Sequence, residues 1–289
     1  MSKTSLIQDF VEEIRSEIYL NHPELISMFE TYAAEAVFGR NVIDPDLKLL
    51  PSGAEIFEIG AGSLILSCQL SREGYSVTAL EPIAEGFSHF RKLQNIVLNT
   101  VNKYNVKLRI INSPAENLDL VSMFDYAFSI NVMEHVRNEK QVIENILISL
   151  KDQAKYRFIC PNYLFPYEPH FNIPIVLNKN LTEKLFRNRI NSYHLLSDPL
   201  GTWQSLNWIS VPKIRKIISE SKNLRVTFHR DLFLKMLNRA VTDNQFSKRR
   251  SKWMNAIFRS IVSLRIHQLT TYIPVTVQPV IDCVIQKSK

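Results

Sequence analysis

Between Ile56 and Pro82 the chain runs apolar, bends on two glycines, turns amphipathic and runs apolar again. The first run is Ile56-Phe57-Glu58-Ile59, and Gly60-Ala61-Gly62 follows it. Leu64, Leu66 and Leu70 then punctuate a segment of good helix formers that stops at Gly74. Val77–Leu80 is the second apolar run, and Glu81 closes it. Strand, tight turn, helix, strand is the grammar of a nucleotide-binding βαβ unit. Glycines suit the bend because, lacking a Cβ, they let backbone N–H groups approach a ligand closely. Glu81 stands 19 residues (81 − 62) beyond Gly62. An acid at that distance sits at the tip of the second strand, where it can accept both hydroxyls of a ribose.

Two details turn the reading away from a dinucleotide. The position of the third fingerprint glycine holds Ile65, and Glu58 stands immediately before the turn. A carboxylate there repels a pyrophosphate and attracts a cation. With its acid-x-Gly-x-Gly at Glu58–Gly62, the stretch resembles the class I S-adenosylmethionine-dependent methyltransferases. Many members carry one more glycine where Leu64 stands, so the turn is expected to be less open here. The resemblance covers Glu55–Pro161. It implies that Glu58, Gly60, Ala61 and Gly62 cradle the methionine end of S-adenosyl-L-methionine and that Glu81 holds its ribose. It also implies that the backbone N–H of Ala115, in Ser113–Leu118, meets the adenine. Glu116 reads equally as a cofactor ligand and as a solvated loop acid. Pro114 replaces an acid that many relatives have. Asn131, in Phe128–Val136, matches the residue under the reactive methyl.

Around this unit, strands alternate with helices. Ser5–Tyr19 is expected to be an amphipathic helix with Leu6, Phe10, Ile14 and Ile18 on one stripe, and Pro23–Val37 a second helix. Gly39–Gly53, with two prolines, reads as a connector. Residues 1–52 thus form an N-terminal helical cap and connector before a methyltransferase domain at 53–289. Helices are expected at Ala84–Leu98 and Asn138–Leu150, and strands at Val106–Ile111, Phe124–Ile130 and Tyr156–Cys160. The alternation predicts an α/β, doubly wound, mostly parallel seven-stranded sheet, a Rossmann-like methyltransferase fold whose strand-to-helix loops share one rim. Pro161–Asn207 breaks the rhythm and reads as a substrate-side insertion after the fifth strand. Val211–Ser221 resumes as a helix and Leu224–His229 as a strand. Residues 230–270 make a helical excursion, with helices at Phe233–Ala240 and Lys252–His267. Val275–Ile285 is the last strand, with Pro279 placing it at an edge or a bend.

Methyl transfer is an in-line displacement, so the protein must align the reactants and exclude water. A hydroxyl acceptor also needs a base near neutral pKa. His170 and His135 are the candidates. His170 lies in the proline-stiffened Pro161–His170, where Glu168 can orient it or bind a sugar hydroxyl, and Asn162, Tyr163 and Tyr167 are the other candidates for contact with the acceptor. No metal is expected, because no second histidine or acid stands at ligand spacing in the sequence with His170.

Tyr167–His170 resembles a Tyr/Pro-Glu-x-His element of some bacterial methyltransferases of glycan, lipid and quinone tailoring, and the resemblance implies a hydroxyl of a sugar, glycolipid or other small metabolite as acceptor. Two alternatives are a non-catalytic S-adenosylmethionine-binding or membrane-associated protein, and an NAD-linked enzyme, against which the absent third glycine counts. Three scattered cysteines suggest reduced core thiols, and no basic-then-apolar leader or long apolar run is present, so a cytoplasmic protein is expected. From Lys213 to Arg265 there are fourteen Lys and Arg against three acids. Lys248–Trp253 opens a helix with Trp253, Ile257, Ile261 and Leu264 on one stripe, which suits an anionic membrane surface on the inner face as well as it suits packing on the domain. Nucleic acid is disfavoured, since the basic residues are not interleaved with a recognised module.

Overall fold

The computed structural model describes residues 3–82, 88–104, 106–194, 196, 198–221, 223–243, 246–247 and 252–288. Seven strands form one sheet in the order β3-β2-β1-β4-β5-β9-β8. They are β1 Glu55–Ile59, β2 Ser76–Leu80, β3 Lys107–Ile111, β4 Phe124–Ile130, β5 Leu150–Pro161, β8 Leu224–Phe228 and β9 Val280–Lys287. β1 pairs in parallel with β2 and β4, β2 pairs in parallel with β3, and β9 runs antiparallel to β8. The order reverses at β1, the topological switch point where ligands bind in such sheets. The expected doubly wound sheet is present.

The chain divides into two compact units: residues 1–129 with 145–156, and residues 130–144 with 157–289. The first opens with α1 (Lys3–Asn21) and α2 (Ile26–Leu47). The buried stripe of α1 is Ile7, Phe10, Val11, Ile14 and Ile18, not one led by Leu6, which is 38% exposed. The spacing i, i+3, i+7, i+11 fits a 3.6-residue period from Ile7 and misses it from Leu6. The expected connector after Val37 is also helical, as α2 continues through Gly39 to Leu47. Arg40 explains the continuation. Its guanidinium is fully buried and donates to both carboxylate oxygens of Glu73 at 3.0 and 2.9 Å and to Asp44, one turn on, at 2.8 Å. Pro45 sits in the last turn, where a missing N–H costs one hydrogen bond at the fraying end. β1 is anchored below by Phe57 stacked on Phe124 of β4, ring centroids 4.5 Å apart. Only the last part of the expected Ala84–Leu98 helix falls within the described residues, in α4 (Ser88–Val101).

β5 begins six residues before its expected start at Tyr156. Lys151–Lys155 is polar and mostly half-exposed or exposed, and Gln153 takes a left-handed φ of 66°, so its apolar signature appears only from Tyr156 onward. In the second unit the stretch 161–207 is structured: β6 (Tyr167–Glu168) pairs with β7 (Ile173–Pro174), and α6 (Lys179–Asn191) and α7 (Pro199–Ser205) follow. α8 (Val211–Glu220), α9 (Leu232–Thr242) and the helix Lys252–Ser263 complete it. The last helix ends at Ser263, short of His267. Beyond it Leu264, Ile266, Leu269 and Tyr272 are exposed. Lys248–Ser251 and the side chain of Trp253 lie outside the described residues. Pro279 does not put the last strand at an edge. The strand starts immediately after it, so its missing N–H breaks no ladder bond, and β9 lies between β5 and β8. Cys68, Cys160 and Cys283 are buried free thiols. Among the described residues, no helix is long and apolar enough to cross a membrane.

Candidate active site

The glycine turn of the first unit follows β1. Gly60 and Gly62 take left-handed φ values of 70° and 51°. Leu64, at the N-cap of α3 (Ile65–Arg72), does the same at 67°. The turn therefore keeps its left-handed residue without the glycine many relatives have there, at a cost of about 1–2 kcal/mol that burial of the Leu64 side chain offsets. The N–H groups of Gly60 and Ala61 donate to the Leu80 carbonyl at 2.7 and 3.1 Å, fastening the turn to the end of β2. Next along the chain, Glu81 accepts the Gly62 N–H at 2.8 Å. The Gln94 amide donates to the Gly62 carbonyl at 2.6 Å. A Cβ on Gly62 would stand 3.8 Å from the Tyr32 ring. Neither Gln94 nor Tyr32 was signalled by sequence, as both arrive from distant helices.

Glu58 is buried on β1 and accepts a hydrogen bond from Ser67 of α3. Burial pushes its carboxyl up to about 8, against the Ser67 bond, and the nearby Glu81 charge adds to the rise. Burial also raises Glu81, against its bond from Gly62. Glu58 is buried and Glu81 half-buried beside the glycine turn, both have raised pKa values, and neither has a cationic partner among the described residues, which fits a cationic ligand. Ala115–Asn117 forms a single 3₁₀ turn behind extended Pro114. The Asn145 amide of α5 (Glu139–Ser149) holds it by donating to the carbonyls of Ala115 and Glu116 at 3.2 and 2.9 Å.

Because the unfolded Glu58 ionises near 4.5 and the folded one near 8, its burial disfavours the folded state increasingly as pH rises through that window. Glu58→Gln is expected to stabilise the ligand-free protein by about 3 kcal/mol at pH 7. The gain should vanish near pH 4, and thermal melts across pH measure it. A pH-independent difference would refute the raised carboxyl.

In the second unit, Asn131 follows β4 with φ 54°, its N–H on the Ile159 carbonyl at 2.9 Å. Glu134 and His135 lie in the next turn, and the insertion brings His170 beside them. The two imidazoles meet edge to face with centroids 5.2 Å apart. Glu168 is fully buried and organises the segment: one oxygen accepts His170 Nδ1 at 2.6 Å, the His170 backbone N–H at 3.1 Å and the Tyr163 hydroxyl at 3.3 Å. Its other oxygen accepts the Phe171 N–H at 2.7 Å. Burial works against the His170 imidazolium, but the Glu168 bond outweighs it and raises the pKa above the ordinary histidine value. His135 goes the other way: burial, then His170, pushes it down to about 3. Its Nδ1 pairs with Ser205 Oγ at 2.8 Å. His135 also lines a cavity of about 460 Å³ with Arg137, Gln204 and Asn207.

The other sequence candidates do structural work visible here. The Asn162 amide donates to the carbonyls of Thr276 and Gln278 at 3.0 and 2.8 Å, and the Tyr167 hydroxyl donates to Asn172 at 2.6 Å. Tyr163 stacks on Trp208 at 5.4 Å. Sequence reading passed over Glu134, although it is the residue before His135. The carboxylate is wholly buried, neither oxygen has a hydrogen-bond partner, and burial raises its pKa to about 7 although His170 opposes the rise.

Residues 57–158 match the Methyltransferase domain family. Over 104 residues the chain is 28% identical to the ubiquinone biosynthesis O-methyltransferase of Rickettsia akari, spanning 35% of this chain and 37% of that one. The fold matches the Haemonchus contortus phosphoethanolamine N-methyltransferase 2 structure in complex with phosphomonomethylethanolamine and S-adenosylhomocysteine, with a TM-score of 0.53 and 14% identity. That match covers 87% of this chain and 53% of the other, so this chain spans about half of that protein's length. Sheet order, glycine turn and domain match together define a class I S-adenosylmethionine-dependent methyltransferase, and the chain belongs to that family. The chain is also similar to the Mycobacterium tuberculosis protein Rv1509, with 45% identity over 275 residues, covering 94% of this chain and 92% of that one.

Proposed function

We propose that the chain transfers the methyl group of S-adenosyl-L-methionine to a hydroxyl oxygen of a sugar, a glycolipid or another small metabolite. The observation that carries the hydroxyl reading is His170 oriented by a buried Glu168. Oxygen acceptors need a base, and a carboxylate on Nδ1 fixes the tautomer that leaves Nε2 free to take a proton and then stabilises the imidazolium. The ubiquinone relative, named as an O-methyltransferase, agrees with this reading.

When bound, the cofactor supplies a methyl carbon on a sulfonium sulfur. In this chain Glu81 accepts the ribose hydroxyls, while the left-handed glycines keep the turn free of side chains. Beside the cofactor's cationic end the Glu58 carboxyl would give up its proton and face it as a carboxylate, and the Ala115 turn would receive the adenine. His170 would take the acceptor hydroxyl's proton at Nε2, and the methyl group, its bond to sulfur broken and S-adenosylhomocysteine leaving, would end on that oxygen. The buried aromatic insertion excludes water from that step.

Calorimetric titration with S-adenosylmethionine tests the cofactor half. Saturable one-to-one binding is expected, and Gly62→Arg should weaken it at least about 100-fold, because a side chain there is strained at φ 51° and meets Tyr32. No saturable binding, or wild-type affinity in Gly62→Arg, would sink the proposal. Methyl incorporation into extracted cell-envelope glycans and lipids then tests the acceptor half.

A further inference from the structure

Glu134, His135 and His170 each offer one ligand atom, and these atoms lie within 4.8 Å of one another. We propose that they form a two-histidine, one-carboxylate site for a first-row divalent transition-metal ion. Sequence spacing hides this set, because His170 arrives from 35 residues further along (170 − 135).

Three observations carry the inference. The first is the Glu134 carboxylate. It is completely buried, neither oxygen has a hydrogen-bond partner among the described residues, and one lies 4.0 Å from His135 Nε2. A buried carboxylate without a donor is costly, and a cation is the ligand that removes the cost. The second is the tautomer of His135. Ser205 Oγ donates its proton to the Thr202 carbonyl at 2.8 Å, so towards His135 it can only accept. Nδ1 therefore carries the hydrogen, and Nε2 holds its lone pair beside Glu134. The third is His170, whose Nδ1 is spoken for by Glu168 at 2.6 Å, again leaving Nε2 as the lone pair. Both imidazoles thus have the outer partner that metal-binding histidines use to fix orientation and raise basicity: a hydroxyl for one and a carboxylate for the other.

Two imidazoles and a carboxylate suit zinc, iron(II), cobalt or manganese better than calcium or magnesium. Metal–ligand bonds of about 2.0–2.2 Å require the donor atoms to close in by up to about 1 Å, within the reach of small side-chain rotations. Three protein ligands leave a position open, as in catalytic sites. The buried indole N–H of Trp208, which stacks on Tyr163, also has no hydrogen-bond partner. The ion's role rests on the hydroxyl-transfer reading, since it would lower the acceptor's pKa in place of free imidazole. Its binding does not rest on that reading.

The test is titration of chelator-treated full-length protein with Co²⁺, followed by the visible absorption of the bound ion, and with Zn²⁺ in competition. One equivalent should bind. Glu134→Gln and His170→Gln should each weaken it at least about 100-fold, and Ser205→Ala about tenfold. Near-UV circular dichroism checks folding, and these near-isosteric changes keep side-chain volume. No stoichiometric binding, or unchanged affinity in a Glu134→Gln, His170→Gln double variant, overturns the site. A parallel titration with S-adenosylmethionine separates the two proposals: cofactor binding without metal binding refutes this inference alone, and metal binding without cofactor binding refutes the methyl-transfer reading alone.

Discussion

His170→Ala is expected to slow methyl incorporation by about 10²- to 10⁴-fold at saturating cofactor while leaving the affinity for S-adenosylmethionine within about threefold of wild type. The split follows from where the residue stands. Its ring is held by Glu168 and faces Glu134 and His135, whereas Glu58, Gly60, Gly62 and Glu81, assigned to the cofactor, belong to β1, β2 and the turns that follow them. Imidazole added to the assay identifies the lost group further. Rescue by imidazole in the presence of chelator marks a proton acceptor, and rescue only with added Zn²⁺ or Co²⁺ marks a metal ligand. Wild-type rates in His170→Ala would remove this residue from the chemistry altogether.

The largest loss of stability is expected from Asp282→Ala. Asp282 on β9 is completely buried, and its carboxylate accepts both Nε and Nη2 of Arg157 on β5 at 2.9 and 2.7 Å. The pair joins residues 125 positions apart. Removing the acid strips the buried Arg157 guanidinium of its bidentate carboxylate, which costs about 3–5 kcal/mol. Urea denaturation measures it. Replacing both members, as Arg157→Met with Asp282→Leu, should recover most of the loss, because an apolar pair of similar volume needs no charge compensation. If the single variant loses less than about 1 kcal/mol, Arg157 is being solvated or re-paired and the pair is not the brace it looks like.

Legibility in the sequence followed distance along the chain. The β1–turn–α3–β2 unit was readable because every part of it lies within about thirty residues and each part has a local cause. Those causes are apolar runs for strands, glycines for left-handed φ, and an acid at the strand tip. Glu81 stands at the end of β2 beside that turn, where its carboxylate accepts the Gly62 N–H, a bond the spacing did not announce. Elements whose signature is diluted by polar residues were misjudged. The first half of β5 reads as loop because Lys151–Lys155 is polar, and the end of α2 reads as connector because Gly39 and Pro45 are weak helix formers that a buried ion triad overrides. The Glu134–His135–His170 cluster was beyond reach. Histidine 170 and the Glu168 that orients it were visible as a local motif, but nothing in the spacing said that the turn after β4 would stand beside them. The role of Ser205 is hidden more deeply, since it depends on which way one hydroxyl points its hydrogen.

The segment after β5 is cross-tied throughout its length. Asn207 donates its amide to the carbonyls of Met133 and Val136, Asn162 reaches Thr276 and Gln278, and Lys179 reaches the carbonyls of Gln204 and Leu206. On the proposed reading this segment walls the acceptor side, and a wall tied in this way is set before the guest arrives. Acceptors longer by a carbon or two are then expected to lose about 10- to 200-fold in kcat/KM.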